Sequence, residues 1–180
     1  MTHDHSQHSP SQGAQPDHAS HKEQTAHTGH GKHAYALFAL NIILSFIAMY
    51  FLMFTMIDNF ADFFNNLNMG YMALTMLAPM GAIMLATMSG MYPNKRLNIG
   101  LYAVLGIVFV AALAGTRTQT AIGDQQFIAS MIPHHSGAIL MCREANLQDS
   151  ELQSLCAGIS EGQRQEIEQM RAIRARLEAQ

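Results

Sequence analysis

The chain has no tryptophan, and charged residues fill only 13% of its 180 positions, about half the share of an ordinary soluble domain. Neither sign of charge dominates: Lys and Arg number 10, Asp and Glu 13, for a formal net charge of −3. No basic surface recommends a nucleic-acid partner. Apart from Met1, large apolar residues are absent from the first 33 positions, "MTHDHSQHSPSQGAQPDHASHKEQTAHTGHGKH". A stretch with nothing to bury cannot offset its ordering entropy, so residues 1–33 are expected to be disordered. Nor do they read as a secretory signal peptide, which needs an apolar core near its start.

Three other stretches lack every Asp, Glu, Lys, Arg and His. They are Ala34–Ile57, Gly70–Met91 and Leu97–Gly115, with 24, 22 and 19 residues. A helix needs about 20 such residues to cross a bilayer. Transmembrane helices are therefore expected at 34–57, 70–91 and 97–115. Lys95 and Arg96 lie between the second and third, whereas Asp58 and Asp62 lie between the first and second. Because Lys and Arg mark the cytoplasmic side, the N-terminus is expected in the cytoplasm and the C-terminal region outside it, as in a bacterial inner or plasma membrane. Arg117, just past the third run, runs against this asymmetry.

Residues 123–180 read as a helical hairpin. The first helix is expected to start near Asp124, as N-cap, and to reach about Asn146. "LQDSELQ" is the turn, and Ser150 with Gln153 fits a capping box for a second helix ending near Leu177. On the first helix, Met131, His134, His135, Ala138, Met141, Cys142 and Ala145 fall on two overlapping stripes of helical spacing, so both histidines border one broad face. The second helix carries Leu152, Leu155, Ile159, Ile167, Met170, Ile173 and Leu177, with a polar gap at Gly162, Gln163 and Glu166. Folding the hairpin about residues 148 and 149 sets His135 opposite Gly162, His134 opposite Gln163 and Met131 opposite Glu166. The polar gap thus comes level with the histidines. Imidazoles are common metal ligands, and a thioether beside them favours a soft ion such as Cu(I). The plain alternative is a polar layer that fixes helix register. Inside the first helix, Pro133 frees the carbonyl of Ala129.

Cys142 and Cys156 face each other under the same pairing. Outside the cytoplasm a disulfide is favoured over a pair of thiolate ligands. Closing a loop of this size is worth about 3 kcal/mol in the chain-entropy model.

The segments "FIASMIPHHSGAILMCREA" and "LQSLCAGISEGQRQEIEQM" resemble the family known as domain of unknown function 305. That family carries a Met-Ile-Pro-His-His stretch on one helix and a run on the next that is here Gln163, Glu166, Ile167 and Met170. The resemblance implies a ferritin-like helical architecture and copper binding. By resemblance Met131, His134, His135, Met141 and Met170 become candidate copper ligands. The fold class expected is all-α: three transmembrane helices, then an α-helical hairpin as a ferritin-like half-bundle.

Methionine and histidine are abundant, at 14 and 10 residues. Met69, Met72, Met76, Met80, Met84, Met88 and Met91 keep to one broad side of the second membrane helix, and Met49, Met53 and Met56 to one face of the first. Packing by a flexible, polarizable side chain explains such stripes more simply than an ion path, since no ionisable residue accompanies them. His3, His5, His8, His18, His21, His27, His30 and His33 make the tail a weak collector of copper, zinc or nickel.

The function expected is a membrane-anchored copper-binding protein for storage, buffering or delivery, and not an enzyme. A membrane interaction module and a ferritin-like metal oxidase are the alternatives. The oxidase is disfavoured because the hairpin lacks the Glu-x-x-His pairs of a di-iron bundle. A homodimer is expected, since one hairpin has two apolar stripes and a single contact between them.

Overall fold

The computed structural model describes the backbone of residues 20–179 and side chains from His33 onward. The tail positions His3, His5, His8 and His18 lie outside the described residues, as do the side chains of His21, His27 and His30, while His33 is exposed.

Every long element is an α-helix. The order is α1 (Ser20–Leu52), α2 (Leu67–Thr87), α3 (Lys95–Thr118), α4 (Asp124–Glu144) and α5 (Ser150–Glu178), with short 3-10 turns at Met53–Met56, Phe60–Asp62 and Ser89–Met91. Helix α1 starts at Ser20, fourteen residues before the apolar run, where helix was not expected. Propagating an existing helix costs far less than nucleating one, and "HKEQTA" contains good helix formers.

Three segments are long and apolar enough to cross a membrane: His33–Met56, Leu67–Thr87 and Lys95–Thr118. The second begins earlier than its apolar run because Asn66 caps it, accepting from the Met69 N–H at 2.9 Å. Within the most apolar window of each, only 11%, 28% and 6% of residues are buried. Most of each window is thus not buried within the bundle. Helix α2 is the central one, packed on both α1 and α3. Gly81 lets Ile42 and Leu105 close over it, and Gly115 seats the Tyr71 ring. At one end of the bundle Ala34, Phe38, Leu85 and Tyr92 form a core, tied by the Tyr35 hydroxyl donating to Asn98 Oδ1 at 2.7 Å.

At the other end sits the α4–α5 hairpin. Its caps differ from expectation by one residue. Gly123, not Asp124, is the N-cap of α4. Asp149, not Ser150, caps α5, accepting from the Leu152 N–H at 2.9 Å. Cys142 and Cys156 are joined in a disulfide, with their Cα atoms 5.4 Å apart. The hairpin core is Ile128, Ile132, Ile139 and Ile167, flanked by Met170, Ile173 and Leu177 and closed by Phe64 from the α1–α2 connection. Arg174 lies 4.3 Å over the Phe64 ring. The second face of α4 is therefore covered by this chain's own α1–α2 connection and by α2. Leu152, Leu155 and Ile159 stay exposed.

Candidate metal centre

Pro133 explains how the hairpin is seated. It lacks an N–H, so the Ala129 carbonyl has no partner within the helix. The Asn66 amide donates to that carbonyl at 3.2 Å while its own oxygen caps α2. Asn66 is 5% exposed, so it satisfies a buried acceptor and a helix terminus together. Gln126 of α4 adds a second cap, accepting from the Leu67 N–H at 2.9 Å.

Next to Pro133, Ser136 accepts from the Asp58 N–H at 2.7 Å and donates to Asp62 Oδ2 at 2.6 Å. Arg171 of α5 donates to the other oxygen of Asp62 at 2.5 Å. Asp62 is 5% exposed, so both helices of the hairpin grip one buried carboxylate of the α1–α2 connection. Asp58 pairs with Arg143. The hydrogen bond to Glu144, and next the charge of Asp58, hold the Arg143 guanidinium above its ordinary pKa. Sequence reasoning used Asp58 and Asp62 only as markers of orientation. Nothing local in the sequence marks them as a clamp, because their partners lie 74 to 109 positions away.

The two histidines part company. Consecutive helical residues point about 100° apart, and here that angle separates two environments. His135 is buried toward α5. Its Nδ1 lies 2.9 Å from the Met131 carbonyl oxygen and its Nε2 2.7 Å from Glu166 Oε2. A carbonyl only accepts, so the Met131 contact calls for the Nδ1–H tautomer, and Nε2 faces the Glu166 carboxylate. Any metal taking Nε2 has to part it from Glu166. The partner is Glu166 although Gly162 is opposite in register, because helical side chains lean toward the N-terminus and Glu166 reaches back about one turn.

His134 is exposed on the other side, toward the membrane helices. It borders two partly open cavities. One, of about 300 Å³, is lined by Met53, Met56, Met69 and Met141 with Pro133 and Gly137. The other, of about 210 Å³, is lined by Met69, Met72 and Met131 with Asn66, Asn68 and Ser130. His134 and Met69 belong to both. The five ligand candidates thus divide. Met131, His134 and Met141 border these cavities, whereas His135 is paired with Glu166 and Met170 packs against the isoleucine core. Among the described residues no group of three or more His, Cys, Asp or Glu is placed to hold a metal ion. Any centre here is built on thioether sulfur. Both cysteine sulfurs are committed to the disulfide, so no thiolate remains to serve as a ligand.

A helical hairpin clamped on one end of three helices, with methionine-lined cavities at the junction, defines the class: an all-α protein with three helices long and apolar enough to cross a membrane. Within that class the chain belongs to the family described as a domain of unknown function, number 305, which matches residues 108–174. An uncharacterized protein of Acanthamoeba polyphaga mimivirus is 30% identical over 135 residues, covering 73% of this chain and 87% of the relative. The family match begins inside α3, upstream of the expected limit at residue 123. The alignment with the viral relative is longer than everything from residue 108 onward, so it includes part of the membrane helices as well. No solved structure matches the chain.

Proposed function

We propose that this protein is a membrane-anchored copper-binding protein that stores, buffers or delivers Cu(I) as cargo. The observation that carries the reading is the placement of Met131, His134 and Met141 along the cavities at the hairpin junction. Two thioethers and an imidazole are a donor set suited to a soft monovalent ion and poorly suited to Mg²⁺ or Ca²⁺. The anchor would keep the ion at the membrane surface, and the tail histidines would gather metal on the opposite side. No catalytic group enters this reading.

The test is elemental analysis of full-length protein purified in detergent from copper-supplemented cells, beside the His134→Ala and His135→Ala variants. Copper should accompany the wild type and the His135→Ala protein, and be lost from His134→Ala. Wild type purified without copper, and unable to take up Cu(I) afterwards, overturns the proposal. A second reading, a module that docks a partner, is favoured by one observation, the exposed stripe of Leu152, Leu155 and Ile159 on α5.

A further inference from the structure

We infer that the Cu(I) site is not contained in the hairpin but is shared with the membrane helices: Met69 at the start of α2, with Met53 and Met56 after α1, supplies part of its sulfur. The inference rests on the copper reading above and adds where the ion sits and what completes the site.

Four observations converge. First, Met69 and His134 are the two residues that border both cavities, so a hairpin imidazole and a membrane-helix thioether meet at one junction. Second, the remaining thioethers surround that pair: Met72 and Met131 on one side, Met53, Met56 and Met141 on the other. Thioethers with an imidazole select Cu(I) over hard cations. Third, the junction is closely fitted. A Cβ on Gly137 would stand 3.2 Å from the Met56 carbonyl oxygen, so the missing side chain is what lets this turn approach α4. Fourth, the polar clamp of Asn66 and Asp62 holds these same segments against α4, which fixes the supporting geometry a site needs.

The sharing ends near Met72. Farther along α2, Met76 is exposed on the outside of the bundle and borders neither cavity. The lower methionines therefore remain packing or lipid-facing residues, and Met76 serves as an internal control. A site that spans hairpin and membrane helices also predicts that Cu(I) locks the two together.

The experiment titrates full-length protein in lipid nanodiscs with Cu(I) against a chromophoric Cu(I) chelator. Leucine replaces methionine throughout, which keeps the volume and removes the sulfur. Met69→Leu, and the pair Met53→Leu with Met56→Leu, should each weaken Cu(I) by about tenfold or more, while Met76→Leu leaves affinity unchanged. Copper X-ray absorption should report fewer sulfur neighbours in Met69→Leu than in the wild type. Hydrogen exchange of α4 amides should slow on adding Cu(I) to the wild type and not to Met69→Leu. If His134→Ala abolishes binding while the membrane-helix variants keep wild-type affinity and sulfur count, the shared site is wrong and the copper reading stands. If the wild type takes up no Cu(I), the copper reading itself has failed.

Discussion

Pro133 and Asn66 are a matched pair. The proline withdraws a donor from the Ala129 carbonyl, and the asparagine returns one at 3.2 Å from 63 positions away. Asn66→Ala should remove the α2 cap and leave that carbonyl unpartnered, at about 1–3 kcal/mol. Thermal unfolding in detergent reads this as a lowered midpoint, and a midpoint equal to wild type contradicts the pairing. Asp62 acts at the same scale. Losing one partner of a buried charged pair costs about 3–5 kcal/mol, and the lower end applies here because Arg171 reaches solvent. Asp62→Ala should therefore speed hydrogen exchange across α4 and α5, with the amides of α3 unaffected. Uniform exchange rates would mean the clamp does not hold the hairpin. The freed carbonyl of Ala129 was legible from Pro133 alone, since the rule is local. The donor that answers it was not, because nothing in "NNLNMG" says which of three asparagines turns inward.

At the scale of elements, α4 works on two faces. One carries Ile128, Ile132, His135 and Ile139 into the hairpin core, and the other presents Met131, His134 and Met141 to the membrane helices. The periodicity identified a helix with both histidines at its inner border. It did not divide them, because the division depends on what packs on each side. The disulfide belongs to this scale as well. Replacing Cys142 and Cys156 together by serine should lower hairpin stability by about 3 kcal/mol, the loop-closure value. It should leave Cu(I) stoichiometry unchanged, since neither sulfur borders a cavity shared with His134. Proteolysis of the hairpin and copper titration of the same variant test both halves. A variant that loses copper together with the disulfide would mean that the crosslink is needed to hold the site.

For the whole molecule, the α1–α2 connection and the hairpin share one end of the bundle, and the Tyr35–Asn98 contact marks the other. The Lys95–Arg96 pair lies at that other end, and the orientation expected from it puts the hairpin outside the cytoplasm. A reporter active only outside should be active when fused after Gln180 and silent in the tail, and the reverse pattern inverts the topology. For the expected homodimer the hairpin offers the exposed apolar stripe of Leu152, Leu155 and Ile159. Leu155→Glu should abolish hairpin crosslinks in membranes, and crosslinks that persist point to another interface. The sequence by itself determined the helical class, the three membrane-length segments and the hairpin, and it set the two cysteines level while leaving a disulfide and a thiolate pair both open. These follow from period, run length and loop length, which are properties of neighbouring residues. Only the tertiary structure decided which side of α4 each histidine takes, that two aspartates form a clamp, and that methionines of α2 meet those of the hairpin. Those depend on contacts between residues far apart in the chain, where an apolar stripe of given spacing looks the same whether lipid, a neighbouring helix or a metal ion covers it.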